Sequence, residues 1–543
     1  MDSCLNQPIE VSLPQWTRYS RIPSIPGYTQ VSTRIPILEK VFQTLPEQEG
    51  QLQSDEYFAK VHSFNGSGEC VVETASKKRR DAYCKVTHIL DPVRKIQGYY
   101  DDSEKGEARK SRKTACHMNQ AYIDFLANYL VGQLRERDIS PHFCLFYGGF
   151  QGIAEKYRYN ISDSFESYRH YKGFWDKKES GLFSLYITHD GEPLCEKDLR
   201  LKTMVHTRSF SYSTNKSSRS SCRSAASKAT KSSHISLLEY AGVDGEEQEL
   251  ESVSSFPSGS EVSDESDESD ESDDSDSSEC VYSEFTQFPT MLLFQEKMDG
   301  IMDRTLDEID TDFEEKWTAW TFQVIAALCV AQATFGLTHN DLHTNNILYT
   351  NTDVEFLYYR TRDDCIWRIP TYGRILRIID FGRSVFRIGS QWFVTDDFAK
   401  GGDAQAQYSF GEFTVEKSPE VYPNPSFDLS RYAVSIIDAL YSKFPAEKEN
   451  GEILNQEEDW IIKETVSPLW NLLWTWLIDD TGRNILRSQD GMERFPSFDL
   501  YEKIAAQVKN AKPQDQLRKD IFKGYSISRS DVPEKEKVYS LFC

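Results

Sequence analysis

The sequence predicts an α+β protein with two lobes, in which a strand-rich part and one helix precede a mostly helical part. At 543 residues the chain is too long for one compact core. Short runs typical of strands, together with one helical pattern, occur between about residues 64 and 147, whereas apolar residues at helical spacing dominate after residue 300. A Ser-rich, highly charged stretch separates the two parts and predicts an insertion between them.

The composition is that of a folded protein, with 39% hydrophobic and 13% aromatic residues. The net charge of −24 argues against general nucleic-acid binding. Eleven cysteines without a CxxC pair favour reduced thiols in an intracellular compartment. The first residues lack a signal-peptide pattern, and we find no run of about 18 apolar residues that would span a bilayer. We therefore expect a soluble intracellular protein without a membrane partner.

The first lobe is predicted to extend over residues 61–300, after a proline-containing, irregular extension at 1–60. Short strands are expected at Glu69–Glu73 and Asp81–Thr87, around a polar turn. The pattern then predicts one helix and two further strands, at 119–134, 143–147 and 291–296.

The insertion is predicted at 205–280 and is disordered in this interpretation. Residues 202–231 contain seven Lys or Arg and no acid, whereas 261–279 contain eleven acids and no base. Neither tract can bury enough apolar surface to offset the entropy of ordering it. The insertion is either a solvated linker or a regulated segment. In a regulated segment, the basic tract pairs with the acidic one, serines flanked by acids are phosphorylated, or a regulatory partner binds.

The second lobe is predicted over residues 301–525, followed by a tail at 526–543. The helices that we expect in it are Phe313–Ala333, Leu429–Tyr441, Glu458–Asp479 and Leu500–Val508.

The strongest motif is His339-Asn340-Asp341-Leu342-His343-Thr344-Asn345-Asn346, which follows a long apolar helix and Gly336. In a loop at this point, Asp341 can orient an attacking hydroxyl and accept its proton. The amide oxygen of Asn346, five residues further on, can bind a metal ion. We expect His339 to have a structural role, because no third ligand follows His339 and His343 at a spacing typical of zinc sites.

A second motif, Asp380-Phe381-Gly382, ends the apolar strand Arg374–Ile379. A carboxylate at this position can bind Mg²⁺ against phosphate groups. The tripeptide alone would be weak support, and Asp341 and Asp380 could be ordinary loop carboxylates. Together and in this order, the two motifs predict a phosphotransfer site that uses ATP and Mg²⁺.

The two motifs resemble those of the protein-kinase-like superfamily, over about residues 60–525. More narrowly, the chain is similar to the serine/threonine kinases of large nucleocytoplasmic DNA viruses such as iridoviruses, which would place it in a host cytoplasm or a virion. The segments that carry this similarity are Lys85–Pro92, Asn119–Asp124, Pro423–Leu429 and Arg494–Leu500.

The resemblance implies a bilobal kinase-like fold and a role for several further residues. Lys85 matches the lysine that pairs with the ATP phosphates, and Asp124 is the acid that the following helix offers to it, in place of the usual Glu. Glu296 and Met298 match the hinge, whose backbone groups bond to adenine. Asp428 matches the aspartate that braces the catalytic loop through backbone hydrogen bonds, or it is a simple helix cap.

Several positions depart from the kinase pattern. Gly66-Ser67-Gly68 resembles the start of a phosphate-covering glycine-rich loop or is an ordinary turn, because Val71 stands where a third glycine is expected. Asn340 and His343 replace an Arg and a Lys of the usual loop, and the Asp-Leu-His form also resembles aminoglycoside and choline phosphotransferases. Ser418-Pro419-Glu420 looks like the end of an activation segment, although it lies close to Asp428.

Three functions therefore remain open. The first is a protein kinase with Ser/Thr protein substrates and no specific nucleic-acid partner. The second is a phosphotransferase that acts on a small molecule. The third is a pseudokinase that binds partners through its charged insertion.

Overall fold

The fold is a mixed α+β arrangement, seen in a computed structural model that describes residues 14–18, 22–42, 50–65, 68–189, 192–193, 279–308, 311–413 and 420–542. The contacts of the described residues divide them into a larger unit, within 14–157 and 285–542, and a smaller unit, within 158–193 and 279–284. The predicted boundary between lobes at residue 300 does not coincide with this division. The predicted insertion at 205–280 lies outside the described residues except for its last two.

The strands in chain order are β1 Trp16–Arg18, β2 Tyr28–Ser32, β3 Gly50–Leu52, β4 Phe58–Phe64, β5 Glu69–Thr74, β6 Arg79–His88, β7 Phe146–Asn160, β8 Ser184–His189, β9 Glu192–Pro193, β10 Glu279–Glu296, β11 Gly300–Ile301, β12 Ile347–Asn351, β13 Phe356–Arg360, β14 Ile366–Pro370, β15 Arg374–Ile378, β16 Phe386–Ile388, β17 Gln391–Phe393, β18 Ile453–Glu457, β19 Trp460–Lys463, β20 Ser526–Ile527 and β21 Val538–Ser540. The α-helices are α1 Ile37–Phe42, α2 Pro92–Ile96, α3 Glu104–Ala115, α4 Gln120–Glu136, α5 Ser162–Arg169, α6 Lys172–Glu179, α7 Phe313–Phe335, α8 Phe427–Leu440, α9 Pro468–Thr475, α10 Asp499–Gln507 and α11 Pro513–Gln516.

The main sheet of the larger unit has the strand order β2-β7-β10-β6-β5-β4. The predicted strands at 69–73 and 81–87 are present as β5 and β6, which pair in antiparallel fashion around the predicted turn. Alternation along β6 buries Ala82 and Cys84 in a small apolar core on one face of the sheet. The intervening Tyr83 and Lys85 therefore project towards the opposite face.

Helix α4 begins where the sequence predicts, with the Asn119 side chain accepting a hydrogen bond from the Ala121 N–H at 3.0 Å. Every residue from 121 to 134 is buried, and not only the predicted apolar stripe. The helix therefore places polar side chains, among them Asp124 and Asn128, inside the protein.

Helix α7 is the long core helix of the second half and ends at Gly336, which adopts a left-handed backbone with φ of 56°. It is the one helix among the described residues that is long and apolar enough to cross a membrane, and 83% of its most apolar window is buried inside the protein. A helix in the core of a folded protein can have the same length and apolar composition as a membrane-spanning helix, so α7 is weak evidence for a membrane span. Phe322, at its centre, contacts the rings of Tyr359, Trp367 and Phe522.

The second half contains many more strands than the sequence analysis predicts. The expected helix at 458–479 is wrong, because residues 453–463 form the β18–β19 hairpin and the helix is confined to Pro468–Thr475. Proline cannot lie in a helix interior, and here Pro468 opens α9 behind the capping side chain of Ser467. Strands β13 and β14 form another antiparallel pair, which extends to β20 and β21.

Both ends of the chain contribute strands, contrary to the prediction of an irregular extension and a tail. Strand β2 pairs with β7 in the main sheet, and β1 pairs with β3. Near the other end, β21 pairs in parallel with β13, and β20 pairs with β14. The prediction missed these strands because they are short and obtain their hydrogen bonds from residues distant in sequence.

The strand predicted at 143–147 is also misplaced. Strand β7 begins at Phe146 and continues through Gly148 and Gly149, well beyond the predicted end at residue 147. A side chain at Gly149 would lie 2.3 Å from the Phe125 ring, so this glycine lets α4 pack closely on the strand.

The smaller unit packs around aromatic side chains. Phe174 on α6 is buried and lies with its ring centroid 5.4 Å from Tyr168 on α5 and 5.0 Å from Phe183. Residues 279–284 of β10 pair in antiparallel fashion with β8.

We predict that Phe322→Ala lowers the free energy of unfolding by about 3–5 kcal/mol, because it removes a fully buried ring and leaves a cavity. Chemical denaturation measures this loss. Ala333→Gln, at an exposed position of the same helix, is the control and should change stability by less than about 0.5 kcal/mol. Equal effects of the two substitutions would contradict the central position of α7 in the core.

Candidate functional site

The ammonium group of Lys85 lies between two carboxylates. Its Nζ is 2.6 Å from Oδ2 of Asp124 and 2.9 Å from Oδ1 of Asp380, and only 12% of its side chain is exposed. Burial alone would lower the pKa of Lys85, but the two carboxylates outweigh it and raise the pKa above its usual value. The lysine is therefore charged at neutral pH. The sequence analysis offers Asp124 as the partner of Lys85, and the two side chains are in contact.

Asp124 connects the lysine to the Asp380-Phe381-Gly382 motif. Its Oδ1 accepts hydrogen bonds from the Phe381 N–H at 2.7 Å and from Nδ2 of Asn128 at 2.9 Å. Burial raises the pKa of Asp124, whereas Lys85 and the Phe381 N–H oppose that rise. With three donors around it, the carboxylate fixes the distance between helix α4 and the turn after β15.

Asp380 adopts a left-handed backbone with φ of 67°, a conformation that is uncommon for residues other than glycine. The strand before it pairs with β12, and the ring of Phe381 is buried beside Phe143 and His339. The side chain of Asp380 is 29% exposed. Burial would raise the pKa of Asp380, but the charge and the hydrogen bond of Lys85 lower it, so the carboxylate is ionised at neutral pH.

The loop with Asp341 is attached to helix α8 by Asp428. The two oxygens of this carboxylate accept hydrogen bonds from the His339 N–H at 3.0 and 2.9 Å, and Oδ1 also accepts one from the Asn340 N–H at 2.9 Å. These backbone hydrogen bonds are the ones that the resemblance implies for Asp428. Asn340 has a left-handed φ of 64°, and its side chain accepts a hydrogen bond from the Tyr408 hydroxyl.

His339 has a structural position, as predicted. Its Nδ1 is 3.3 Å from the Asp341 N–H and therefore accepts a hydrogen bond, while Nε2 is 2.8 Å from the Ile379 carbonyl and donates one. A ring proton on Nε2 satisfies both contacts. His339 thus links the Asp341 loop to the residue that precedes Asp380.

Asp341 is buried, and both of its carboxylate oxygens have partners. The Tyr501 hydroxyl donates to Oδ1 at 2.8 Å, and Nη1 of Arg383 lies 3.8 Å from Oδ2. Burial raises the pKa of Asp341, but the charges of Arg383, His343 and Arg431 and the Tyr501 hydrogen bond together lower it. Tyr501 and Arg383 are residues that the sequence analysis missed, because no motif singles them out.

Asn346 directs its amide nitrogen into the loop and leaves its amide oxygen for another partner. Nδ2 donates to the Asp341 carbonyl at 2.9 Å and lies 3.2 Å from Nε2 of His343. Among the described residues, none donates to Oδ1 of Asn346. Burial lowers the pKa of His343 to about 4, so this ring is neutral at neutral pH.

Asp380 and Asn346, the residues predicted to bind the metal ion, offer a carboxylate and an amide oxygen, which are ligand types that suit Mg²⁺. No group of three His, Cys, Asp or Glu side chains in the described ranges is arranged to hold a metal ion. A carboxylate with one amide oxygen still fits Mg²⁺, which keeps several waters and takes substrate phosphates as its other ligands.

The remaining predicted residues lie on the main sheet. Gly66 is outside the described residues, whereas Gly68 follows the turn between β4 and β5 with φ of 90°. A side chain at Gly68 would come within 2.8 Å of the Cys84 carbonyl, so only glycine fits there. Glu296 ends β10, donates its N–H to the Leu145 carbonyl at 3.0 Å and accepts from the Leu145 N–H through its side chain. Met298 follows it outside any strand.

The fold and the site together define a mixed α+β protein with a buried Lys–Asp–Asp cluster beside an Asp-containing loop. The chain matches no family model. Over 138 residues, or 24% of this chain, it is 30% identical to a protein of Invertebrate iridescent virus 6 described as "Uncharacterized protein 098R". The match spans about a quarter of that relative's length, 23%. This chain is therefore similar to part of a viral protein.

We predict that Asp428→Asn lowers the free energy of unfolding by about 2 kcal/mol, because two buried N–H groups lose a charged acceptor. Chemical denaturation measures the change. Asp438→Asn on the same helix is the control, since its carboxylate is exposed and pairs with Arg487 on the surface. An equally small effect of both substitutions would show that Asp428 does not brace the loop.

Proposed function

We propose that the protein is an ATP- and Mg²⁺-dependent protein kinase of the bilobal kinase-like fold, with serine or threonine as the acceptor. The observation that carries this proposal is the simultaneous contact of Lys85 with Asp124 and Asp380. A lysine that neutralises phosphate charge and an aspartate that binds the metal must lie side by side in such a site. The helix acid keeps the lysine in place.

In this proposal the nucleotide lies against the main sheet. Lys85 binds its phosphates, Gly68 belongs to the turn that covers them, and backbone groups at Glu296 and Met298 bind adenine. The Glu296 N–H already donates to Leu145, so the bonds to adenine come from the Glu296 carbonyl and from Met298. Bound Mg²⁺ would be held by Asp380 and Asn346 and would neutralise the charge of the phosphates.

Asp341 is the residue proposed to position the acceptor hydroxyl. Its lowered pKa keeps the carboxylate ionised, so it can accept a hydrogen bond from that hydroxyl and then its proton. Asp428 and His339 attach the Asp341 loop to helix α8 and to the strand that leads to Asp380. This rigid connection supports transfer, because alignment of the reacting groups contributes most of the catalysis in phosphoryl transfer.

A small-molecule phosphotransferase is the second candidate, and His343 is the observation that favours it. The neutral His343 ring lies beside Asn346, where a protein kinase usually has a lysine that binds the transferred phosphate. The iridovirus relative adds support to a viral origin and none to either substrate class.

We predict that the purified protein transfers phosphate from labelled ATP to itself or to a generic Ser/Thr protein substrate, and that Asp380→Asn reduces turnover at least 100-fold. The reduction follows from losing a metal-binding charge, and the fold should remain, as circular dichroism can verify. Asp102→Asn is the control, because this carboxylate is 96% exposed and pairs with Lys110 at the surface.

Each alternative has its own result in this assay. Transfer to small alcohols but not to proteins would favour the second candidate. Binding of ATP without any transfer would identify a pseudokinase and overturn the proposal. Wild-type turnover in Asp380→Asn would show that the metal assignment is wrong.

A further inference from the structure

We propose that Tyr501 is a positioning residue for Asp341, and that Arg431 acts through it. The inference rests on the proposed function, since it concerns the orientation of the carboxylate that receives the acceptor hydroxyl. Neither residue belongs to the two sequence motifs, and both lie more than 80 residues after Asp341 in the chain. The fold brings them to the loop through helices α8 and α10.

The hydrogen bonds at Tyr501 have a fixed direction. Nε of Arg431 lies 2.8 Å from the Tyr501 hydroxyl oxygen, and an arginine N–H can only donate. The tyrosine oxygen therefore accepts this bond, and its own proton is available for Oδ1 of Asp341, which lies 2.8 Å away. An ionised carboxylate only accepts, so the chain runs from Arg431 through Tyr501 to Asp341. Each bond in such a chain polarises and strengthens the next one.

The Tyr501 ring is held in place from several sides. It stacks on Phe498 with 4.9 Å between ring centroids and 13° between ring planes, and it contacts Phe427 at 5.9 Å. The Arg431 guanidinium lies 5.2 Å from the ring centroid. With its ring packed in this way, Tyr501 can fix the position of the carboxylate oxygen that it contacts.

The second carboxylate oxygen has a cationic neighbour. Arg383 lies 3.8 Å from Oδ2 of Asp341, and its Nε lies 3.7 Å from Asp397, so the arginine is held between two acids. Its guanidinium is also 5.8 Å from the ring of Phe498, the residue that stacks on Tyr501. A carboxylate has about four acceptor sites on its two oxygens, so these contacts leave room for an acceptor hydroxyl.

The charged and titratable groups that face Asp341 are Arg383, His343, Arg431 and Tyr501. Burial lowers the pKa of His343 to about 4, so the permanent positive charges near neutral pH are the two arginines. Arg383, His343 and Arg431, together with the Tyr501 hydrogen bond, act to lower the pKa of Asp341 against the effect of burial.

The test is Tyr501→Phe, which keeps the packed ring and removes the hydroxyl. In the phosphate-transfer assay we expect kcat to fall about tenfold with KM for ATP unchanged, because a misplaced carboxylate affects the transfer step and not nucleotide binding. Tyr441→Phe is the matched control, since its hydroxyl bonds to Ser467 away from the loop.

Arg431→Gln is the second variant, and it does not depend on how well Tyr501→Phe folds. It should also lower kcat and leave KM for ATP unchanged, and the double variant should lose little more kcat than Tyr501→Phe alone, because the two residues act in one chain. A wild-type protein that is active, with kcat unchanged in Tyr501→Phe, would overturn this inference alone. Absence of transfer by the wild type would overturn the proposed function and this inference with it.

Discussion

The contact of one buried ammonium with two carboxylates is the interaction on which the proposed site depends. Lys85, Asp124 and Asp380 come from a strand of the main sheet, a helix buried on all sides and a turn after a strand of the second half. A lone buried charge is costly, so the buried Lys85 and Asp124 stabilise each other, and Asp380, which is 29% exposed, adds a second carboxylate beside the ammonium group. The cluster therefore sets the relative positions of three elements that are distant in the sequence.

A second set of contacts attaches the Asp341 loop to this cluster. Asp428 binds the backbone of the loop from helix α8, and His339 bridges the loop to the Ile379 carbonyl, next to Asp380. The two sequence motifs are thus connected by hydrogen bonds, and a displacement of either one would disturb the other. In the proposed function, this connection aligns the acceptor hydroxyl with the nucleotide.

Much of this arrangement is predictable from the sequence where the signal is local. The strand with Lys85, helix α4 with its Asn119 cap, helix α7 with Gly336 and the two motifs all have periodic or capping patterns that the structure contains. The resemblance to kinases led to the expectation that Asp124 is the partner of Lys85, and the two side chains are in contact in the structure. The strand pair β13–β14 was missed although Phe356–Arg360 and Ile366–Pro370 are rich in aromatic and β-branched residues around a polar turn, which is a hairpin signal.

Other features depend on long-range contacts that no local pattern encodes. Trp460 to Ile462 can belong to a helix or a strand by composition, and only the pairing with β18 decides for the strand. Tyr501 lies 160 positions from the carboxylate that it contacts, and its role depends on how α8 and α10 pack. The sites of greatest interest beyond the motifs are therefore visible only in three dimensions.

A crystal structure with Mg²⁺ and a non-hydrolysable ATP analogue would show whether the site binds a nucleotide as proposed. We expect a metal ion bound by Asp380 and Asn346, and phosphate oxygens bound by Lys85, which keeps its contact with Asp124. A nucleotide bound elsewhere, or a metal ion that contacts neither Asp380 nor Asn346, would contradict the proposed site.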